Sequence, residues 1–388
     1  MLRVRNHRDQ PTAAGEQVAA PPARGTEGPA RATPRDPYFD NAKYLAILLV
    51  AIGHTWTPLR DDSRAASALY MFVYAFHMPA FILIAGYFSR GFAARPDQLR
   101  RLVTGIGVPY LVFEVGYVLF SRLSNDPDGV FRPFSVLDPY YVTWFLVALF
   151  VWRLSAPIWR VVRWPLPLAL VVAAVASVSP HLGNDLNLQR VLQFLPFFVL
   201  GTLLRREHFD WVRRREMRML SVPVLLAALA VAYWAVPRMN HAWFYRSDSA
   251  QELAAPWFVG VVMSLALFGC GLLLSACFLS WVPRRRTWYT ALGAGTIYGY
   301  LLHGFIAKAS RWWDWYAADW IDTPAGRVGV TLIGAAVMTA LCTAPVRRVF
   351  RFAVEPSLHW AFKRETDTRH GHGHGHGHGA RRPARSGS

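Results

Sequence analysis

Five ionisable residues stand out within apolar stretches of the chain: Lys43, His54, His77, Glu114 and His303. In a bilayer such groups are costly, and by default they mark function. Lys43 and His54 are eleven residues apart. That spacing is about 1100° of helical rotation, only about 20° past three full turns, so both side chains share one face. They are separated by roughly 16 Å along the axis. Lys43 marks one end of a stripe and His54 its far half, with Asp40 one turn from Lys43 as its natural salt-bridge partner. An imidazole exchanges a proton near neutral pH, which is the chemistry of a general base. The competing reading is structural: a lysine that snorkels to the interface and a histidine that hydrogen-bonds between packed helices.

His77 stands in Phe76-His77-Met78-Pro79. Pro79 has no N–H to give and so frees a backbone carbonyl, and irregular backbone at membrane depth is tolerated where it lines a cavity. His77 therefore either bridges to that carbonyl or faces a site. His303 follows Tyr298-Gly299-Tyr300 at a depth similar to that of His54. Three histidines from three helices are expected to meet in one pocket. No carboxylate or supporting ligand pattern accompanies them, so no metal is expected. Gly53 is expected to let another backbone approach His54. Glu114 is expected to pair with Lys43 or with an arginine. Cys270, Cys277 and Cys342 have neither disulfide nor zinc spacing and read as buried structural thiols.

The elements that position these residues follow from composition. Of 388 residues, 53% are hydrophobic and 17% charged, with a net charge of +18. Soluble domains carry about 25% charged residues. Apolar runs recur at 41–58, 68–88, 102–120, 140–154, 164–180, 190–204, 219–236, 256–281, 288–308 and 326–345. They are continuous rather than alternating, which excludes a membrane barrel. The fold class is an all-α integral membrane bundle of about ten transmembrane helices. With the N-terminus inside, 31 of the 42 Lys and Arg residues fall on cytoplasmic segments, as the positive-inside rule requires, and both termini are then cytoplasmic. The high charge is thus topological and is not a nucleic-acid signal. Residues 1–37 are polar and lack periodicity. Residues 351–388 carry a His-Gly repeat at His370, His372, His374, His376 and His378. Both segments are expected to be disordered tails around a membrane domain at 38–350. The first apolar run starts too late for a cleavable signal peptide.

Several motifs in order carry a family likeness: Asp40-x-x-Lys43 with His54, Phe76-His77-Met78-Pro79 with Gly86-Tyr87, Trp144-Phe145-Leu146, Phe194-x-Pro196-Phe197-Phe198-x-x-Gly201, and Tyr298-x-x-x-Leu302-His303. Together they resemble the acyltransferase 3 family of multi-pass membrane acyltransferases, nearest to its fucose 4-O-acetylase-like branch. In the wider family's pattern, an arginine holds the place taken here by Lys43. The resemblance implies transfer of an acyl group, commonly acetyl, from cytoplasmic acyl-CoA as co-substrate to a hydroxyl of a carbohydrate or glycolipid acceptor. It implies His54 as general base or transient acyl carrier, and Lys43 as a CoA-holding or charge-steadying group. His77 and His303 would orient the acceptor or stabilise the oxyanion. Arg100-Arg101, Arg205-Arg206 and Arg284-Arg285-Arg286 would grip CoA phosphates or merely set topology. The expected location is the cell membrane, in contact with lipid and with a homo-oligomer possible. The competing assignments are modification of a secondary metabolite such as a macrolide, and a ten-helix transporter, although the two halves show no repeat.

Overall fold

A computed structural model describes residues 36–60, 63–124, 134–182, 185–356 and 360. Of the tails expected to be disordered, only 36–37, 351–356 and 360 are described, and there the expectation is corrected in part: Pro37 opens one helix and Arg351–Val354 form another. Among the described residues all regular structure is helical.

Local chemistry sets where the helices begin. α1 (Pro37–Trp56) starts behind Asp36, whose side chain accepts from the Tyr38 N–H at 3.0 Å, with Pro37 in the first position. The second apolar run is two helices, α2 (Arg64–Tyr74) and α3 (His77–Ser89), broken at Ala75–Phe76. The break lies four residues before Pro79, where the proline withholds the N–H that Ala75 would need. α4 (Pro96–Leu102) and α5 (Val108–Leu123) join through a π-helical turn at 103–107. Then come α6 (Trp144–Val161), α7 (Pro165–Ala176), α8 (Leu188–Leu203), α9 (Arg206–Val212), α10 (Arg215–Ala235) and α11 (Ala242–Tyr245). α12 (Trp257–Trp281), α13 (Thr296–Trp312), α14 (Pro324–Leu341), α15 (Ala344–Val349) and α16 (Arg351–Val354) complete the order.

Every one of the ten apolar runs is helical, and seven helical segments are long and apolar enough to cross a membrane. Two of the remaining runs fall short in length, α7 with 12 residues and α13 with 17. α1 has 20 residues but carries Asp40, Asn41, Lys43 and His54.

α1, α3, α6, α8 and α13 hold the interior, where Trp152, Phe197, Phe198 and Leu301 are fully buried. α3 and α8 touch backbone to backbone: a Cβ on Gly86 would run into the Phe198 carbonyl, and one on Gly201 into the Leu83 carbonyl. Small residues at a crossing permit the close approach that packs helices in lipid. This explains why Gly86 and Gly201 belong to the motifs. The Trp152 indole N–H donates to the Val191 carbonyl at 2.9 Å and ties α6 to α8. α10 is peripheral by contrast, and its Met219, Leu226 and Val231 are each more than 60% exposed. An apolar face of that extent suits hydrocarbon rather than water. Cys277 and Cys342 are buried as expected, but Cys270 lies exposed on α12. On a helix apolar all round, nothing forces a thiol inward.

Candidate active site

His54 sits in the last turn of α1 and His303 in the middle of α13. Packing of these helices brings the two rings to 5.2 Å between centroids, tilted by 57°. His77 opens α3 just after the break, its ring edge-on to Tyr74 at 4.7 Å. The three histidines do not share one pocket. His54 and His77 line a polar cavity of about 200 Å³, together with Tyr74, Tyr141, Arg190 and Arg311. His54 and His303 line a second, apolar cavity of about 260 Å³ with Ala307, Trp320, Ile333 and Val337. His54 is the histidine common to both. Among the described residues no three of His, Cys, Asp or Glu come together as a metal-holding group.

Backbone carbonyls set the protonation of two of these rings. His303 Nδ1 lies 2.5 Å from the Tyr300 carbonyl and 3.2 Å from that of Gly299. A carbonyl only accepts, so Nδ1 carries the proton and Nε2 holds a lone pair. That Nε2 is buried and has no hydrogen-bond partner among the described residues. His77 Nδ1 donates likewise to the Val73 carbonyl at 2.8 Å, so its Nε2 is also an acceptor. Neutral His77 and His303 can therefore receive hydroxyl protons but cannot donate to an oxyanion.

His54 has a different partner. Its Nδ1 is 2.7 Å from the Tyr141 hydroxyl, which can donate or accept. With Nδ1–H donating to that oxygen, Nε2 is free to act as a base, and the phenol oxygen steadies the imidazolium that forms. Tyr141 escaped the sequence reading. It stands in the left-handed region at φ 52°, an arrangement that costs about 1–3 kcal/mol and persists only where surroundings enforce it. Glu114 is one enforcer: it is buried, and its carboxylate accepts from the Tyr140 N–H at 2.9 Å and from the Thr143 hydroxyl at 2.7 Å. Lys43 is not its partner, since the Lys43 ammonium pairs with Asp40 at 2.7 Å. Glu114 thus braces the turn that aims Tyr141 at His54. Gly53 makes room for a side chain rather than a backbone, because a Cβ there would meet the Tyr74 ring at 2.9 Å.

Lys43 lies at the other end of α1 and lines neither cavity. The loop after α12 is fastened beside it. The Asn41 amide donates to the carbonyls of Pro283 and Arg285, at 2.9 and 3.0 Å, and its oxygen accepts from the Thr290 hydroxyl at 2.7 Å. Of the three arginine groups, 284–286 is tied to this end of α1 by these bonds, and α9, which starts at Arg206, packs its Phe209 on Phe39 at the same end with ring centroids 5.1 Å apart. Arg101 is exposed and pairs with Asp97 at 2.5 Å. Arg205 and Arg206 are exposed, and neither they nor Arg100 and Arg101 border a cavity beside His54. Arg213, Arg214, Arg215 and Arg218 line a wide basic groove with Arg284, whose guanidinium donates to the Arg213 carbonyl at 2.5 Å. Sequence reading did not single out those four.

A family model described as an acyltransferase domain, that of acyltransferase 3, matches residues 36–347. The chain belongs to the acyltransferase 3 family. The match opens at the cap of α1 and takes in every helix through α14, so both cavities lie inside it. Two curated relatives are named nodulation protein NolL. That of Sinorhizobium fredii (strain NBRC 101917 / NGR234) is 24% identical over 75% of this chain and 83% of its own length. That of Mesorhizobium japonicum (strain LMG 29417 / CECT 9101 / MAFF 303099) is 27% identical over 72% of this chain and 79% of its own length. No solved structure matches the chain. The protein is a multi-pass membrane acyltransferase.

Proposed function

We propose that this acyltransferase moves an acyl group, acetyl foremost, from cytoplasmic acyl-CoA to a hydroxyl of a carbohydrate acceptor, with His54 as the base. The observation that carries the reading is the place of His54, on the wall between a polar and an apolar cavity. An acceptor hydroxyl in the polar cavity meets the thioester carbonyl at that wall, with the acyl chain in the apolar cavity. His54 Nε2 takes the hydroxyl proton as the oxygen attacks. The new C–O bond forms, the C–S bond breaks, and the proton passes to the leaving thiolate. His303 Nε2 and His77 Nε2 receive neighbouring hydroxyls and orient the acceptor.

Lys43 and the 284–286 loop hold the donor's phosphates, roughly 16 Å from His54 along α1. The chain crosses the membrane ten times with both ends cytoplasmic, a topology supported by 31 basic residues on one side and 10 on the other. The location is the cell membrane.

The test is purified protein in lipid nanodiscs, incubated with radiolabelled acetyl-CoA and a panel of cell-envelope glycans. Label is expected in an alkali-labile ester on a glycan, and its absence from every glycan overturns the carbohydrate reading. Lys43→Ala should raise KM for acetyl-CoA more than KM for the acceptor. Equal effects on both remove Lys43 from donor binding.

A further inference from the structure

The polar cavity contains two positive charges that the transfer reaction does not use. Arg190 stands in the first turn of α8 and Arg311 in the last turn of α13, and both line the cavity beside His54. The Arg190 guanidinium lies over the Trp144 ring at 5.2 Å, and its buried Nε has no hydrogen-bond partner among the described residues. Arg311 lies over the Tyr141 ring at 5.6 Å. Among the described residues, no carboxylate forms an ion pair with either one. Asp248 reaches Arg190 only at longer range, and its carboxylate takes the Ser247 hydroxyl at 2.7 Å.

Two guanidinium groups around one small cavity repel each other, and a buried charge without a partner is expensive. Aromatic faces recover only part of that cost. Such an arrangement is expected where the missing counter-charge arrives with a ligand. The donor's phosphates are poorly placed to supply it. They belong at the Lys43 end, whereas Arg311 is eight residues beyond His303, roughly 12 Å further along α13 and away from that end. The remaining occupant is the acceptor. Five tyrosines, Trp144 and two phenylalanines make up much of the remaining wall, surfaces that suit the hydroxyls and C–H faces of a sugar.

We infer that the acceptor is anionic: a carboxylate or phosphate on the sugar is gripped by Arg190 and Arg311 while the hydroxyl to be acylated faces His54. This rests on the acyl-transfer reading for the role of the ligand but not for its charge, so binding is measured without a donor. Protein in neutral-lipid nanodiscs is titrated with methyl β-glucuronide, the 6-phosphate of methyl β-glucoside, and neutral methyl β-glucoside. At least one anionic probe is expected to bind about tenfold or more tightly than the neutral one, the scale of a charge-assisted pair. The two anionic arms distinguish a carboxylate from a phosphate.

Arg190→Gln and Arg311→Gln should each bring that ratio toward one, and Arg190→Lys should keep part of it, because charge survives while the planar fork is lost. The inference is overturned by equal binding of all three probes, by no binding of any, or by an unchanged ratio in both glutamine variants. Displacement of the anionic probe by free coenzyme A also overturns it, since the arginines would then serve the donor. A clear anion preference without acyl transfer would instead count against the proposed reaction and leave this site standing.

Discussion

The two cavities that meet at His54 are built from opposite materials. One gathers tyrosines, two histidines and two arginines among apolar side chains. The other is walled mainly by alkyl groups from α1, α13 and α14 and by the indoles of Trp315 and Trp320 in the segment between α13 and α14. Their volumes are similar, about 200 and 260 Å³, so chemistry and not size separates what each accepts. A dry apolar cavity of about 150 Å³ holds benzene, so the larger one has room for an acyl chain longer than acetyl. In the proposed reaction this contrast keeps the acceptor hydroxyl apart from the acyl chain until both reach His54. Burial raises the stakes for each polar group on the wall, because an unmade hydrogen bond there is not recovered from water.

The sharpest way to break this contrast is to remove the residue the cavities share. His54→Ala should lower acyl transfer about 100-fold or more, the scale of a lost general base, with membrane abundance unchanged. Activity above a tenth of wild type would take the base away from His54.

Filling the apolar side alone comes next. Ala307→Phe puts a ring into the space of that cavity. It should depress turnover of octanoyl-CoA about tenfold relative to acetyl-CoA. Equal loss with both donors would mean that the chain does not enter this cavity. Tyr141→Phe tests the polar side, since it removes the hydroxyl partner of His54 Nδ1 and keeps the ring. A fall in kcat of about fivefold is expected, the worth of one net hydrogen bond, with acyl-CoA KM little changed. An unaltered kcat would demote the Tyr141 contact to packing. Deleting 366–388 should have the smallest effect of all, leaving transfer in membranes intact, because every residue assigned to the reaction precedes that segment.

Much of this was legible before any coordinates, and the reasons are local. A continuous apolar run commits its backbone to helix in lipid, and each of the ten runs is helical. Pro79 announced irregular backbone close to where α2 and α3 part. Asp40 and Lys43, one turn apart, form the expected pair at 2.7 Å.

The misses were non-local. Tyr141 is one of 15 tyrosines, and nothing nearby in the chain tells of its left-handed backbone or of Glu114, 27 residues earlier, bracing the turn around it. Glu114 was read as an ion-pair partner because a buried carboxylate needs compensation. What fixes it on the turn is donation from the Tyr140 N–H and the Thr143 hydroxyl.

By itself, then, the sequence determined a helical membrane protein with a Lys43–His54 stripe on one helix face. Those properties follow from hydrophobic period and charge, which act along a single segment. Only the tertiary structure decided that His303 and His77 border different cavities with His54 lining both, and that Arg190 and Arg311 border the one His77 lines. Such neighbours come from helices far apart in the chain. Their meeting depends on side-chain packing between α1, α3, α8 and α13, which no single segment encodes.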